Sequence, residues 1–174
     1  MKLAARLISL YFIIFILPSS VLGGNCSDDE LKKMGLIETP GFDKEVLFKS
    51  SKAMTTTGKK HGIRLGATKE KLANELGKLL RTIGITGVSE PCLLCFGQSI
   101  KCVVQKCKGE CLRGPCSQGC QKCIDANCKP ALVECVGNNN ILNPCKWEDK
   151  YLKFKIPGTG EDESEKKGEA SGTS

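Results

Sequence analysis

The clearest periodic pattern along the chain is an apolar stripe between residues 68 and 84. Its members recur at i, i+4, i+7, i+8 and i+11, as one face of an α-helix requires, and they are Leu72, Leu76, Leu79, Leu80 and Ile83. Thr68 is a typical N-cap residue and Gly84 a typical helix stop. The opposite face mixes lysine, arginine and glutamate, whereas a membrane-active helix usually has a uniformly basic polar face. The pattern therefore predicts a helix that packs its apolar face on a core.

The longest apolar run stands at the start of the chain. It covers Leu7–Leu17, follows the basic residues Lys2 and Arg6, and is succeeded by small residues such as Gly23. This order of a basic segment, a short apolar run and small residues is typical of a secretory signal peptide. The run is shorter than the roughly 20 apolar residues that span a bilayer. We therefore expect residues 1–23 to be a signal peptide that is removed after Gly23.

The remaining chain divides by composition into three regions. Residues 24–89 contain a single cysteine and several helical patterns, interrupted by Ser50–Gly66, which is rich in Lys, Thr and Gly and is predicted to be a mobile loop. Residues 90–156 hold eleven of the twelve cysteines and form the cysteine-rich helical region. Residues 157–174 contain Gly, Ser, Glu and Lys without an apolar cluster, so we expect a disordered tail.

Two further short helices are predicted before the mobile loop. Ser27 and Glu30 stand at the spacing of a capping box, in which each side chain binds the backbone N–H of the other residue. The helix that follows should stop at Gly35. A second short helix is indicated by apolar residues after Pro40 and Gly41, namely Phe42, Val46 and Leu47.

The cysteines of residues 90–156 are spaced symmetrically about a turn signal at Leu112–Pro115. The residue numbers of opposed cysteines add up to 230, or to 231 for the innermost pair, which gives the pairs Cys95–Cys135, Cys102–Cys128, Cys107–Cys123 and Cys111–Cys120. Residues that face each other in an antiparallel hairpin share a constant sum of this kind. The first arm should begin at Ser89–Pro91, and Pro130 should open a final helix through Val136. The fold class predicted is mainly α, a small disulfide-rich helical domain with a cystine-laddered antiparallel helical hairpin.

Four cysteines remain outside this ladder. We assign Cys92 to Cys145 and Cys26 to Cys116, although spacing alone does not choose among the pairings. Each bridge stabilises a fold by about 2–4 kcal/mol through its effect on the unfolded chain. Such bridges would compensate for a core that contains few large fillers, since aromatic residues make up only 5% of the chain.

The main alternative for the cysteines is a metal site. The C-x-x-C pairs Cys92/Cys95 and Cys120/Cys123 have the spacing of zinc ligands. Zinc ligation needs reduced thiols, whereas a signal peptide sends the chain through an oxidising compartment. Neither pair has the strand-to-helix context of a thioredoxin-like redox motif. No metal and no cofactor is therefore assigned.

Catalysis and nucleic-acid binding find little support in the residues. His61 is the single histidine and stands beside two lysines in a predicted loop, and none of the common hydrolase, phosphate-loop or metalloprotease motifs is present. The formal charge of +7 is spread along the chain and is not clustered with aromatic residues that could stack on bases. We expect a protein that is not an enzyme and does not bind nucleic acid. Its contact with membranes is expected only through the signal peptide before cleavage.

Four stretches carry a resemblance to a known family. They are Asp28–Leu36, Gly41–Ser51, Cys92–Cys107 and Asn143–Trp147. In these stretches the chain resembles the secreted cysteine-rich schizont antigens of Theileria parasites, which are targets of bovine cytotoxic T cells. The resemblance implies a parasite protein that is secreted or held at the parasite surface and whose peptides are presented to host T cells. It brings no catalytic or binding residues with it.

These observations support two candidate functions. The first is a non-enzymatic protein-interaction module with a host or parasite protein as partner, which would present the loops at Arg113–Gly114 or Asn138–Asn140. The alternative is a saposin-like lipid or membrane-binding protein, for which the apolar stripe of residues 72–83 would provide the lipid-facing side. The sequence contains no hydrophobic end of the kind that directs a GPI anchor, so secretion or surface association without an anchor is the expected localisation.

Overall fold

A computed structural model describes residues 23–156 of the protein. The expected disordered tail, and the expected signal peptide except for Gly23, lie outside these residues. Within them the chain is helical and contains no strand. The α-helices, in chain order, are α1 (Asp28–Lys33), α2 (Lys44–Thr57), α3 (Lys69–Thr82), α4 (Glu90–Lys106), α5 (Gln118–Asn127), α6 (Lys129–Val136) and α7 (Glu148–Lys153). A π-helical turn over Gly58–Gly62 extends α2, and 3₁₀ turns cover Glu110–Arg113 and Pro144–Trp147.

The predicted capping box opens α1. The Ser27 hydroxyl accepts from the Glu30 N–H at 3.3 Å, and the Glu30 carboxylate accepts from the Ser27 N–H at 2.7 Å. The helix is followed by Gly35 at φ 65°, a left-handed conformation that glycine adopts without strain. Leu31 of this helix is completely buried. The short helix therefore begins and ends as its sequence predicts, and the structure adds that Leu31 faces the core.

The mobile loop predicted at Ser50–Gly66 is wrong for most of its length. Residues 50–57 are the second half of α2, which is a 14-residue helix and not a short one, and the π-helical turn continues it to Gly62. The Thr55 and Thr57 hydroxyls donate to the carbonyls of Ser51 and Ala53, four residues earlier. Because these bonds satisfy the hydroxyls within the helix, Thr57 can be buried with only 2% of its surface exposed.

The apolar stripe of α3 faces the core, as predicted, and the structure shows that it packs on α4. Leu72 and Leu76 are completely buried and Leu80 is 1% exposed, with Thr68 acting as the N-cap. The two helices cross closely at Gly97, where an added Cβ would collide with the Lys69 carbonyl and the Ala73 amide. The backbones of α3 and α4 are therefore in close contact, and the N-terminal helices pack directly on the cysteine-rich region. One hydrophobic core therefore runs across the boundary expected between residues 89 and 90.

The predicted hairpin is formed by α4 and by α5 together with α6. Ser89 is the N-cap of α4, with Pro91 in its first turn, and Pro130 stands in the first turn of α6. The helix α6 ends at Val136, as predicted, and Gly137 follows with φ 75°. Beyond the hairpin, the chain returns to the N-terminal helices and covers α2 with the aromatic residues Trp147, Tyr151 and Phe154.

Candidate functional site

Four disulfides join the two arms of the hairpin in the order that the cysteine spacing predicts. They are Cys95–Cys135, Cys102–Cys128, Cys107–Cys123 and Cys111–Cys120. The Cα–Cα distances of the first three are 5.6 Å, 5.7 Å and 5.7 Å, so the arms keep a constant separation. The ladder therefore fixes the arms along their whole length and holds the connection between them in one place.

The two pairings proposed outside the ladder are wrong. The structure joins Cys26 to Cys92 and Cys116 to Cys145, in place of Cys92–Cys145 and Cys26–Cys116. Cys26 lies at the start of α1, which is held against the start of α4, and this places it 4.6 Å from Cys92 between Cα atoms. Since all twelve cysteines are bridged, none of the C-x-x-C pairs provides free thiols in the structure.

Besides the Cys26–Cys92 bridge, a buried carboxylate joins α1 to the start of α4. Besides the Ser27 contacts, Glu30 accepts a hydrogen bond of 2.7 Å from the Ser89 N–H at the start of α4. Burial raises the pKa of Glu30, but hydrogen bonds from Ser89 and Ser27 outweigh this and lower the pKa from 4.5 to about 2. The ionised carboxylate therefore caps two helices at once. The sequence predicts the contacts between Glu30 and Ser27, which are three residues apart. It contains no signal for the hydrogen bond from Ser89.

The two loops expected to meet a partner lie at opposite ends of the hairpin. Arg113–Gly114 forms the connection after Cys111, beyond the last turn of α4. Asn138 follows α6 and donates a hydrogen bond of 3.2 Å to Asp28, at the end where α4 begins. Because α4 has 17 residues, about 25 Å of helix separates the two ends. The loops therefore do not form one surface.

The C-terminal part of the predicted loop at Ser50–Gly66 lies near the hairpin connection, a position that the sequence does not indicate. Gly58 and Gly62 lie beside Val104 in the last turns of α4, where an added Cβ would come within 3.7 Å and 2.8 Å of the valine side chain. Of the four large apolar side chains that are exposed in residues 23–156, three lie in this loop or in the hairpin connection: Ile63 (55%), Leu65 (105%) and Leu112 (79%). We call residues 58–66 and 106–116 the basic end of the molecule.

Charge also distinguishes the basic end. Its exposed basic residues are Lys59, Lys60, Arg64, Lys106, Lys108 and Arg113, and its one acidic residue is Glu110. The opposite end carries both signs, with Asp28, Asp29 and Glu90 near Lys32 and Lys33. A surface that combines excess positive charge with protruding aliphatic side chains is suited to anionic partners that also offer an apolar phase or pocket.

The single histidine lines a shallow cleft of about 240 Å³ between α2 and α3. His61 Nε2 lies 3.9 Å from Glu75 Oε2, while Lys78 donates to the same carboxylate at 2.8 Å. The hydrogen bond from Lys78 lowers the pKa of Glu75 below its ordinary value. The nearby hydroxyls of Thr57 and Thr82 donate to backbone carbonyls of their own helices. The cleft is thus an ion-paired surface in which the hydroxyls of Thr57 and Thr82 donate their hydrogen bonds within their own helices.

Within residues 23–156, no group of three or more His, Cys, Asp or Glu side chains is arranged to hold a metal ion. No helix in the same range is long and apolar enough to cross a bilayer. Comparison of the whole chain with protein-family models, curated proteins and solved structures finds no match.

Proposed function

We propose that the protein is a secreted or surface-associated parasite antigen that works as a non-enzymatic interaction module and binds its partner through the basic end. The apolar run before Gly23 supports export, and the resemblance to schizont antigens supports the parasite origin. Six disulfides fit a protein that functions outside the cell, where no reducing system opens them.

The placement of exposed aliphatic side chains carries this proposal. Most leucines and isoleucines of the described helices are buried, yet Ile63, Leu65 and Leu112 protrude at one end. Exposed apolar groups that cluster within a charged rim are typical of contact surfaces. The ladder supports such a role, because the bridge Cys111–Cys120 fixes the connection that carries Leu112. A partner then meets a surface that is already ordered and costs little further entropy to bind.

Binding to intact bovine cells tests the proposal directly. Fluorescently labelled, fully oxidised protein should bind saturably, and the same protein after reduction should not. A double charge reversal at the basic end, Arg64→Glu with Arg113→Glu, should weaken binding by about tenfold or more. The matched control, Lys32→Glu with Lys33→Glu, removes the same charge from the opposite end and should bind like the wild type. Absence of saturable binding, or equal losses in the two variants, would contradict the proposal.

A lipid surface is a second candidate for the partner, on different residues from those that the sequence indicated. The stripe of α3 is buried against α4, so it offers no face to lipid. The loop of residues 58–66 instead places two aliphatic side chains among basic residues. Exposed aliphatic side chains beside basic residues are typical of surfaces that bind membranes, and this observation favours a lipid surface as the second candidate.

A further inference from the structure

The loop of residues 58–66 has a fixed base and a protruding tip. At the base, an added Cβ on Gly62 would meet the Val104 side chain at 2.8 Å, so the backbone lies directly on α4. At the tip, Leu65 is fully exposed and Ile63 is more than half exposed. The side chains of Ile63 and Leu65 are therefore not covered by other parts of residues 23–156. The backbone at Gly62 is held against α4.

Basic side chains surround this tip, and acidic ones are absent from it. Residues 58–66 contain Lys59, Lys60 and Arg64 but no aspartate or glutamate. Glu75 on α3 lies near His61, and its carboxylate is paired with Lys78. The hairpin connection adds Lys108 and Arg113 at the same end of α4 as the loop, because Gly62 lies beside Val104 in the last turn of α4 and the connection follows that turn. The positive charge and the apolar tips thus point to a single anionic surface.

A lipid bilayer fits these tips better than a folded protein does. Protein interfaces are usually centred on aromatic residues and need a complementary pocket for each protruding side chain. The basic end contains no aromatic residue, and its aliphatic tips are on separate loops. An interfacial lipid layer needs no preformed pocket, since acyl chains rearrange around each inserted side chain while headgroups contact lysine and arginine.

We infer that the basic end docks on anionic phospholipid membranes, with Ile63, Leu65 and Leu112 entering the headgroup region and the surrounding basic residues binding the headgroups. The inference rests on the proposed function, because it names the partner of the same surface. It predicts peripheral, salt-sensitive binding with no helix spanning the bilayer.

Vesicle co-sedimentation of the oxidised protein tests this docking. Vesicles with about 30% phosphatidylserine in phosphatidylcholine should retain the protein, and pure phosphatidylcholine should not. Binding should fall when the salt concentration is raised, because the headgroup contacts are screened. The variant Ile63→Ser with Leu65→Ser should lose about tenfold or more in affinity, given the apolar area that each side chain buries. The matched control Leu152→Ser removes an exposed leucine from α7 and should bind like the wild type.

The outcomes separate this inference from the proposed function. If the protein ignores anionic vesicles but still binds cells through the basic end, the lipid inference is overturned and a protein partner takes its place. If Ile63→Ser with Leu65→Ser binds anionic vesicles as tightly as the wild type, the insertion of the tips is refuted and charge alone accounts for the binding. Selective loss in that variant, with Leu152→Ser unaffected, supports the docking. Far-UV circular dichroism of each variant verifies that the helices are intact.

Discussion

The ionised side chain of Glu30 should be one of the strongest single contributors to stability at neutral pH. Its carboxylate accepts from the Ser27 N–H, the Ser27 hydroxyl and the Ser89 N–H at 2.7–2.8 Å. The pKa falls from 4.5 to about 2 in the folded protein, and a shift of this size corresponds to about 3 kcal/mol of folding free energy. Replacing Glu30 with glutamine keeps the shape but turns an N–H group toward one of these donors. We expect Glu30→Gln to lose about 3 kcal/mol at pH 7.

The pH dependence of this loss identifies its cause. Because the folded pKa is depressed, the contribution of Glu30 is complete above pH 4.5 and disappears as the pH falls toward 2. The wild type and Glu30→Gln should therefore differ by about 3 kcal/mol at pH 7 and by much less at pH 2. Other carboxylates titrate in the same range, but they do so in both proteins and cancel in the difference.

Guanidinium unfolding of the oxidised proteins, followed by circular dichroism, measures these free energies. Glu90→Gln is the matched control, because Glu90 is an exposed residue in the first turn of α4 and loses the same charge. Its cost should stay below about 1 kcal/mol, the usual size of a charge–helix-dipole contact. A Glu30→Gln loss that equals that of Glu90→Gln, or that is the same at pH 7 and pH 2, would refute the double-cap argument.

Three further predictions concern packing and connectivity. Non-reducing peptide mapping of the secreted protein should recover the pairs Cys26–Cys92 and Cys116–Cys145, and recovery of Cys92 joined to Cys145 would contradict the structure. Gly97→Ala should destabilise the protein by about 2 kcal/mol in guanidinium unfolding, because its Cβ has no room beside α3, whereas Gly109→Ala, whose Cβ meets nothing within 4 Å, should be close to neutral. Leu76→Ala should cost about 2–5 kcal/mol in the same assay, since Leu76 is completely buried, and an unchanged midpoint would mean that α3 does not pack on the core.

The parts of the fold that sequence predicts well are those fixed by local geometry. The α3 helix follows from the spacing of its leucines, and the ladder follows from a constant sum that any antiparallel hairpin must satisfy. Each pattern lies within one continuous segment of the chain, so it can be predicted without contacts to the rest of the fold.

The parts that sequence misses depend on contacts between distant segments. The second half of α2 reads as a loop because Thr and Lys are poor core residues, and only tertiary packing shows that Thr57 is buried. The Cys26–Cys92 bridge forms where α1 meets the start of α4, the junction at which Glu30 also contacts Ser89, 59 residues away along the chain. The sequence places Leu65 in a predicted loop, but whether an apolar loop residue packs on the core or stands exposed depends on distant residues, and in the structure Leu65 is fully exposed.

The order of the bridges along the chain has a topological consequence. The four ladder disulfides are nested, with separations of 9, 16, 26 and 40 residues, so closing each one shortens the loop that the next must close. Cys26–Cys92 lies outside this nest, whereas Cys116–Cys145 starts within the innermost loop and crosses all four. The nested set can close from the inside outward as the chain emerges, but the crossing bridge must wait for the last cysteine. Reducing this bridge alone would remove the covalent link between the C-terminal segment and the hairpin while the four nested bridges remained closed, so that the segment would be held by its packing and hydrogen bonds, such as that of Asn143 to Gln121.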